Sequence, residues 1–95
     1  MKQLDENYLF IPPTVRYCHN LPGNAKLLFG LIAHRANEEG KAIFGYDELA
    51  EIFNSSKKAI YFWIIALENE GFLISKMVRR GRVHYRFFLI LCDPG

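Results

Sequence analysis

An α+β fold, with three helices packed against a small antiparallel sheet, is what this 95-residue sequence predicts. Three observations predict it. Apolar residues recur at helical spacing in 24–38, 47–53 and 56–69. After Gly71 the pattern switches to period two, interrupted once by Arg79-Arg80-Gly81-Arg82, as in two strands joined by a tight turn. The composition, 51% hydrophobic and 15% aromatic, supplies a core for one domain and lies far from that of disordered chains.

Taken in order, residues 1–7 are polar and read as a flexible N-terminus, 8–92 as a single domain and 93–95 as its C-terminal end. Tyr8 to Val15 is short and apolar. Pro12 and Pro13 remove ladder donors, so an extended arm lying across the core is expected rather than a central strand. Leu21-Pro22-Gly23-Asn24 punctuates the start of a helix. That helix carries Ala25, Leu28, Phe29, Ile32 and Ala36 on one side and is expected to run to about Glu38, with Gly40 ending it. Lys41 to Phe44 is too short for a helix and reads as a brief strand.

The stretch from Tyr46 to Gly71 organises the rest. Leu49, Ala50, Ile52 and Phe53 mark one helix, and Ile60, Ile64 and Leu67 a second. Asn54 tolerates the left-handed conformation that ends the first. Ser55 or Ser56 can accept from the free N–H groups that open the second, and Gly71 closes it. Two short helices joined by such a turn form a helix-turn-helix. Beyond it, Phe72, Ile74 and Lys76 alternate with Leu73, Ser75 and Met77. In the last strand Val83, Tyr85, Phe87 and Leu89 alternate with His84, Arg86, Phe88 and Ile90, and burial on both faces is expected near its end. The order helix, strand, helix, helix, strand, basic turn, strand is that of a winged helix-turn-helix, with the wing at 78–83.

Several function classes find no support. No apolar run approaches the roughly 18 residues of a membrane helix. No charged-then-apolar leader opens the chain, so a cytoplasmic protein without membrane contact is expected. Cys18 and Cys92 lack a CxxC pattern and read as buried thiols. His19, His34 and His84 have no ligand spacing, and no nucleophile–base motif or phosphate-cradling glycine loop appears. Neither a metal, a cofactor nor an enzymatic activity is expected. Charge is more informative. The net charge is +2, but five of the 12 Lys and Arg residues (Lys76, Arg79, Arg80, Arg82, Arg86) lie between Gly71 and Cys92, where there is no Asp or Glu. Such asymmetry is the electrostatic footprint of a nucleic-acid-binding face.

From about Tyr8 to about Ile90 the chain resembles the winged helix-turn-helix domain of phage and plasmid replication initiators and replisome organisers. The motifs AKLLFGLI, ELAEIF and ALENEGFL carry the resemblance, together with the arm FIPPTVRY. It implies binding to double-stranded DNA, often at repeated origin sites, and a role in DNA replication initiation. A transcription regulator on the same fold is the nearest alternative. Two positions depart from the family pattern, Ser55 where an apolar residue is usual and Ala59 where threonine is usual.

The recognition helix is expected at about 56–69. Ser56, Lys57, Lys58 and Tyr61 are its candidate DNA contacts, and Arg79, Arg80 and Arg82 are those of the wing. Lys57 and Lys58 oppose the helix dipole at an N-terminus, a local cost that phosphate contact would offset. With Ile60, Ile64 and Leu67 inward, the outward face also carries Phe62 and Ile65, with Glu68 beyond. Phe62 and Ile65 cannot hydrogen-bond a base edge. With Tyr61 they are candidates for a protein interface, serving a homodimer or a replication-protein partner. Trp63 borders the inward stripe and is assigned to the core, and Arg86 and Lys76 to supporting charge.

Overall fold

Alternation in three short strands and helical periodicity in three longer segments leave one apolar face on each element, and these faces meet. The computed structural model describes residues 10–91. Its elements are α1 (Pro13–Arg16), α2 (Gly23–Arg35), β1 (Lys41–Gly45), α3 (Tyr46–Phe53), α4 (Lys57–Asn69), β2 (Leu73–Arg80) and β3 (Val83–Ile90). The sheet is antiparallel with order β1-β3-β2. This is the α+β winged helix-turn-helix, with the β2–β3 hairpin as the wing and one added helical turn at the start. No helix among the described residues is long and apolar enough to cross a membrane.

The core gathers Leu28, Phe29 and Ile32 from α2, Leu49 from α3, Ile60, Ile64 and Leu67 from α4, and Phe44, Leu73 and Phe88 from the sheet. Trp63 joins it, edge-on to Phe53 with ring centroids 5.5 Å apart. Two ties fix the helices to their neighbours. Arg35 forks onto Glu48 with bonds of 3.0 and 2.9 Å, joining α2 to α3, while its guanidinium lies 3.9 Å from the Phe44 ring centroid. Glu68 Oε2 accepts from both the backbone N–H and the hydroxyl of Ser75, each at 3.0 Å, and so ties α4 to β2.

The turn between α3 and α4 sets how the second helix is presented. Asn54 is left-handed (φ 48°). Ser55 N–H donates to the Ala50 carbonyl and Asn54 N–H to that of Glu51, so α3 ends in a Schellman motif built on asparagine. Ser56, not Ser55, caps α4, its Oγ accepting from Ala59 N–H at 3.1 Å. At the other end Gly71 (φ 77°) closes the helix, with Phe72 N–H bonded to the Leu67 carbonyl and Gly71 N–H to that of Glu68. The hairpin tip is the two-residue loop Gly81-Arg82 between the paired Arg80 and Val83. Gly81 has φ 62° and Arg82 does not share the positive sign, which makes a type II′ turn.

Five expectations are corrected. The segment before Arg16 is not extended throughout, because Pro13 opens the helical turn α1 and Val15 is buried. Proline's fixed φ suits a first helical position, where its missing N–H would have no partner in any case. Tyr8 and Leu9 lie outside the described residues. Helix α2 stops at Arg35 rather than near Glu38. Asn37 Oδ1 accepts from Glu39 N–H (2.9 Å) and Lys41 N–H (3.0 Å), bending the chain into β1 through Gly40 (φ 77°). The end of β3 is not buried on both faces: Phe88 is buried, but Phe87 opposite it is 38% exposed. Glu68 faces β2 and is half-buried, so it is not part of the outward face of α4. Cys18 is half-buried and free, its Sγ 3.5 Å from Glu70 Oε1, and Cys92 lies outside the described residues.

Candidate nucleic-acid interface

Helix α4 buries Ile60, Trp63, Ile64 and Leu67, and this choice of inward face turns the other residues of its opening turns to solvent. Lys57, Lys58, Tyr61 and Phe62 are exposed, Tyr61 at 47% and Phe62 at 64%. Ile65 is half-buried, so the exposed apolar cluster is smaller than the sequence suggests. Lys57 Nζ meets Asp47 Oδ1 at 2.7 Å across the helix-turn-helix, between side chains 60% and 77% exposed. A pair so open to water contributes at most about 1 kcal/mol, and a phosphate can displace the carboxylate at small cost. Lys58 has no hydrogen-bond or ion-pair partner among the described residues. Ser56 carries its capping bond through the hydroxyl oxygen, which leaves its O–H free to donate.

The wing arginines do not all face one way. Arg79 pairs across the hairpin with His84 and shares its face with Met77, the face turned toward the helices. Its Nε donates to the Gly81 carbonyl at 2.9 Å, holding the side chain along the tip. Arg80, one residue on, belongs to the opposite face. Arg80 and Arg82 are exposed and make no ion pair among the described residues. The hairpin thus presents cations on both faces and at its turn.

Between the opening of α4 and the hairpin lies a surface cavity of about 330 Å³, lined by Tyr46, Lys57, Lys58, Tyr61, Met77 and His84. It brings three of the candidate contacts, Lys57, Lys58 and Tyr61, together with the helix-facing side of the wing. None of the three wing arginines, Arg79, Arg80 and Arg82, lines it. Sequence reasoning missed Tyr46, Met77 and His84 as groove residues, and misjudged Arg86. That residue is only 8% exposed, on the face of β3 that also holds Phe88. Its Nε donates to Tyr46 Oη at 2.9 Å, and its guanidinium carbon lies 5.7 and 5.6 Å from the ring centroids of Tyr46 and Tyr61. The period-two pattern did put Arg86 in line with Phe88 and Ile90, and an arginine on a core-facing register was the available signal. Among the described residues no group of three or more His, Cys, Asp or Glu could hold a metal ion.

Against known proteins, the family model described as a helix-turn-helix domain matches residues 19–73. The match spans α2, β1, α3 and α4 and stops at the first residue of β2, so most of the wing lies beyond it. Comparison with curated proteins and with solved structures gave no match.

Proposed function

The chain belongs to the helix-turn-helix domain family, and from that footing we propose that it binds double-stranded DNA, with α4 in the major groove and the wing along the flanking backbone. The supporting observation is the basic groove itself: Lys57, Lys58 and Tyr61 face a hairpin that carries Arg79 on its inner side. Ser56, Lys57, Lys58 and Tyr61 contact phosphates or base edges, and Arg79, Arg80 and Arg82 hold the flanking phosphates. The replisome-organiser resemblance of AKLLFGLI, ELAEIF and ALENEGFL favours a phage or plasmid origin as the DNA. A transcriptional operator is the alternative on the same surface. No cofactor and no catalytic step belong to this proposal, and the protein acts in the cytoplasm.

One observation favours a second reading. Phe62 is 64% exposed at the middle of the recognition helix, where a base reader would carry a polar side chain. A homodimer or a seat for a replication protein would cover it together with Tyr61 and Ile65. The double substitution Phe62→Arg with Ile65→Lys separates the two. For a DNA-reading α4, affinity for a short duplex by fluorescence anisotropy stays unchanged or rises, because the added charges face phosphates. For a protein-binding α4, the variant loses self-association in sedimentation velocity. A fall in DNA affinity without change of association would contradict the proposed orientation of the helix.

A further inference from the structure

We propose that Arg86 is the floor of a recessed phosphate seat, rimmed by Lys57 and Lys58, between α4 and the wing. This rests on the DNA-binding reading, in which the phosphate belongs to the DNA backbone. Arg86 is more than nine-tenths buried, yet no carboxylate among the described residues pairs with it. Its protein partners are one neutral hydroxyl, Tyr46 Oη, and two aromatic faces, those of Tyr46 and Tyr61. A buried cation with no counter-charge is costly, and an anion that completes it is bound correspondingly well.

The route to that anion follows from its neighbours. No fully buried side-chain nitrogen among the described residues lacks a partner, so the Nη groups of Arg86, which have none, keep access to solvent. Tyr46 and Tyr61, whose ring centroids lie 5.7 and 5.6 Å from the guanidinium carbon, both line the 330 Å³ cavity, as does Met77, its cross-strand neighbour on β2. Arg86 does not itself line the cavity; it lies behind these three residues, and the seat requires its Nη groups to be reached from the cavity whose rim holds Lys57 and Lys58. With Nε engaged by Tyr46, the two Nη groups remain as a fork suited to two phosphate oxygens. Tyr46 Oη accepts from Arg86 and keeps its own proton to donate to the same anion. The tyrosines hold the fork in one orientation, so little side-chain entropy is lost on binding.

The test compares wild type, Arg86→Met and Arg86→Lys, each checked for a cooperative thermal transition, against a short random-sequence duplex and, separately, inorganic phosphate. Loss of one phosphate contact lowers duplex affinity about eightfold near 0.1 M salt and reduces the slope of log K against log salt by about 0.9. Arg86→Lys keeps the wild-type slope. In wild type, which needs no substitution to fold, the NMR signal of Arg86 Nε–H shifts on adding duplex. If duplex binds but that signal is unmoved, or Arg86→Met keeps the wild-type slope, Arg86 only clamps the two tyrosines; the seat is then refuted while DNA binding stands. A shift with inorganic phosphate, where duplex does not bind at all, upholds the seat, makes its ligand a free phosphate and refutes the DNA-binding reading. A signal unmoved by both overturns the seat.

Discussion

A chain carrying Arg79→Ala, Arg80→Ala and Arg82→Ala together is expected to lose about 10²–10³-fold in affinity for duplex DNA near 0.1 M salt. Each phosphate neutralised releases counterions and contributes about 0.9 to the salt slope, which is close to one decade of affinity at that salt for each contact. The loss should be the same for all DNA sequences, since these side chains address the backbone. Stability should barely change. All three side chains are exposed, and the only bond lost among described residues is that from Arg79 to the Gly81 carbonyl. Gly81, which sets the type II′ turn, is retained. Exposed substitutions of this kind stay within about 0.5 kcal/mol. A normal melting temperature with lost binding would assign the cations to DNA contact, whereas unaffected binding would leave them as solubilising charge on a hairpin tip.

Phe44→Ala should cost about 3–5 kcal/mol of folding free energy. Phe44 is 1% exposed and stacks edge-to-face with Phe88, with centroids 6.3 Å apart, across the β1–β3 ladder. It also carries the Arg35 guanidinium on its outer face. Truncation removes the apolar contact with Phe88, opens a cavity in the core and frees Arg35 from its ring. Since small domains have only about 5–15 kcal/mol in total, the variant should be partly unfolded at room temperature or melt at least about 12 °C lower. Phe44→Leu, which refills most of the volume, should lose less than half as much. Equal melting of wild type and Phe44→Ala in a denaturant or thermal scan would contradict the packing described.

The helix-turn-helix was legible because its signals are local. Asn54, Ser56 and Gly71 each act within a few residues, and Ile60, Ile64 and Leu67 define one face without reference to anything distant. The hairpin was legible for the same reason, from alternation and Gly81. What escaped depended on tertiary partners. Glu68 looks outward by helical count, but β2 returns alongside α4 and brings Ser75 to it. Lys57 looks unpaired until the turn folds Asp47 back to 2.7 Å. Arg86 reads as surface charge unless Phe44, Met77, Tyr46 and Tyr61, from four separate elements, are known to surround it. The early stop of α2 escaped for a different reason. Asn37, Glu38 and Glu39 are acceptable in a helix, and the side-chain bonds of Asn37 decide the competition.

The most direct measurement is the affinity of the wild-type chain for random-sequence duplex DNA by fluorescence anisotropy across a salt titration. If the opening of α4 and the wing meet about five phosphates, log K falls linearly with log salt at a slope of about −4 to −5. No detectable binding at low salt, or a slope near zero, would contradict the assignment of the basic groove to DNA.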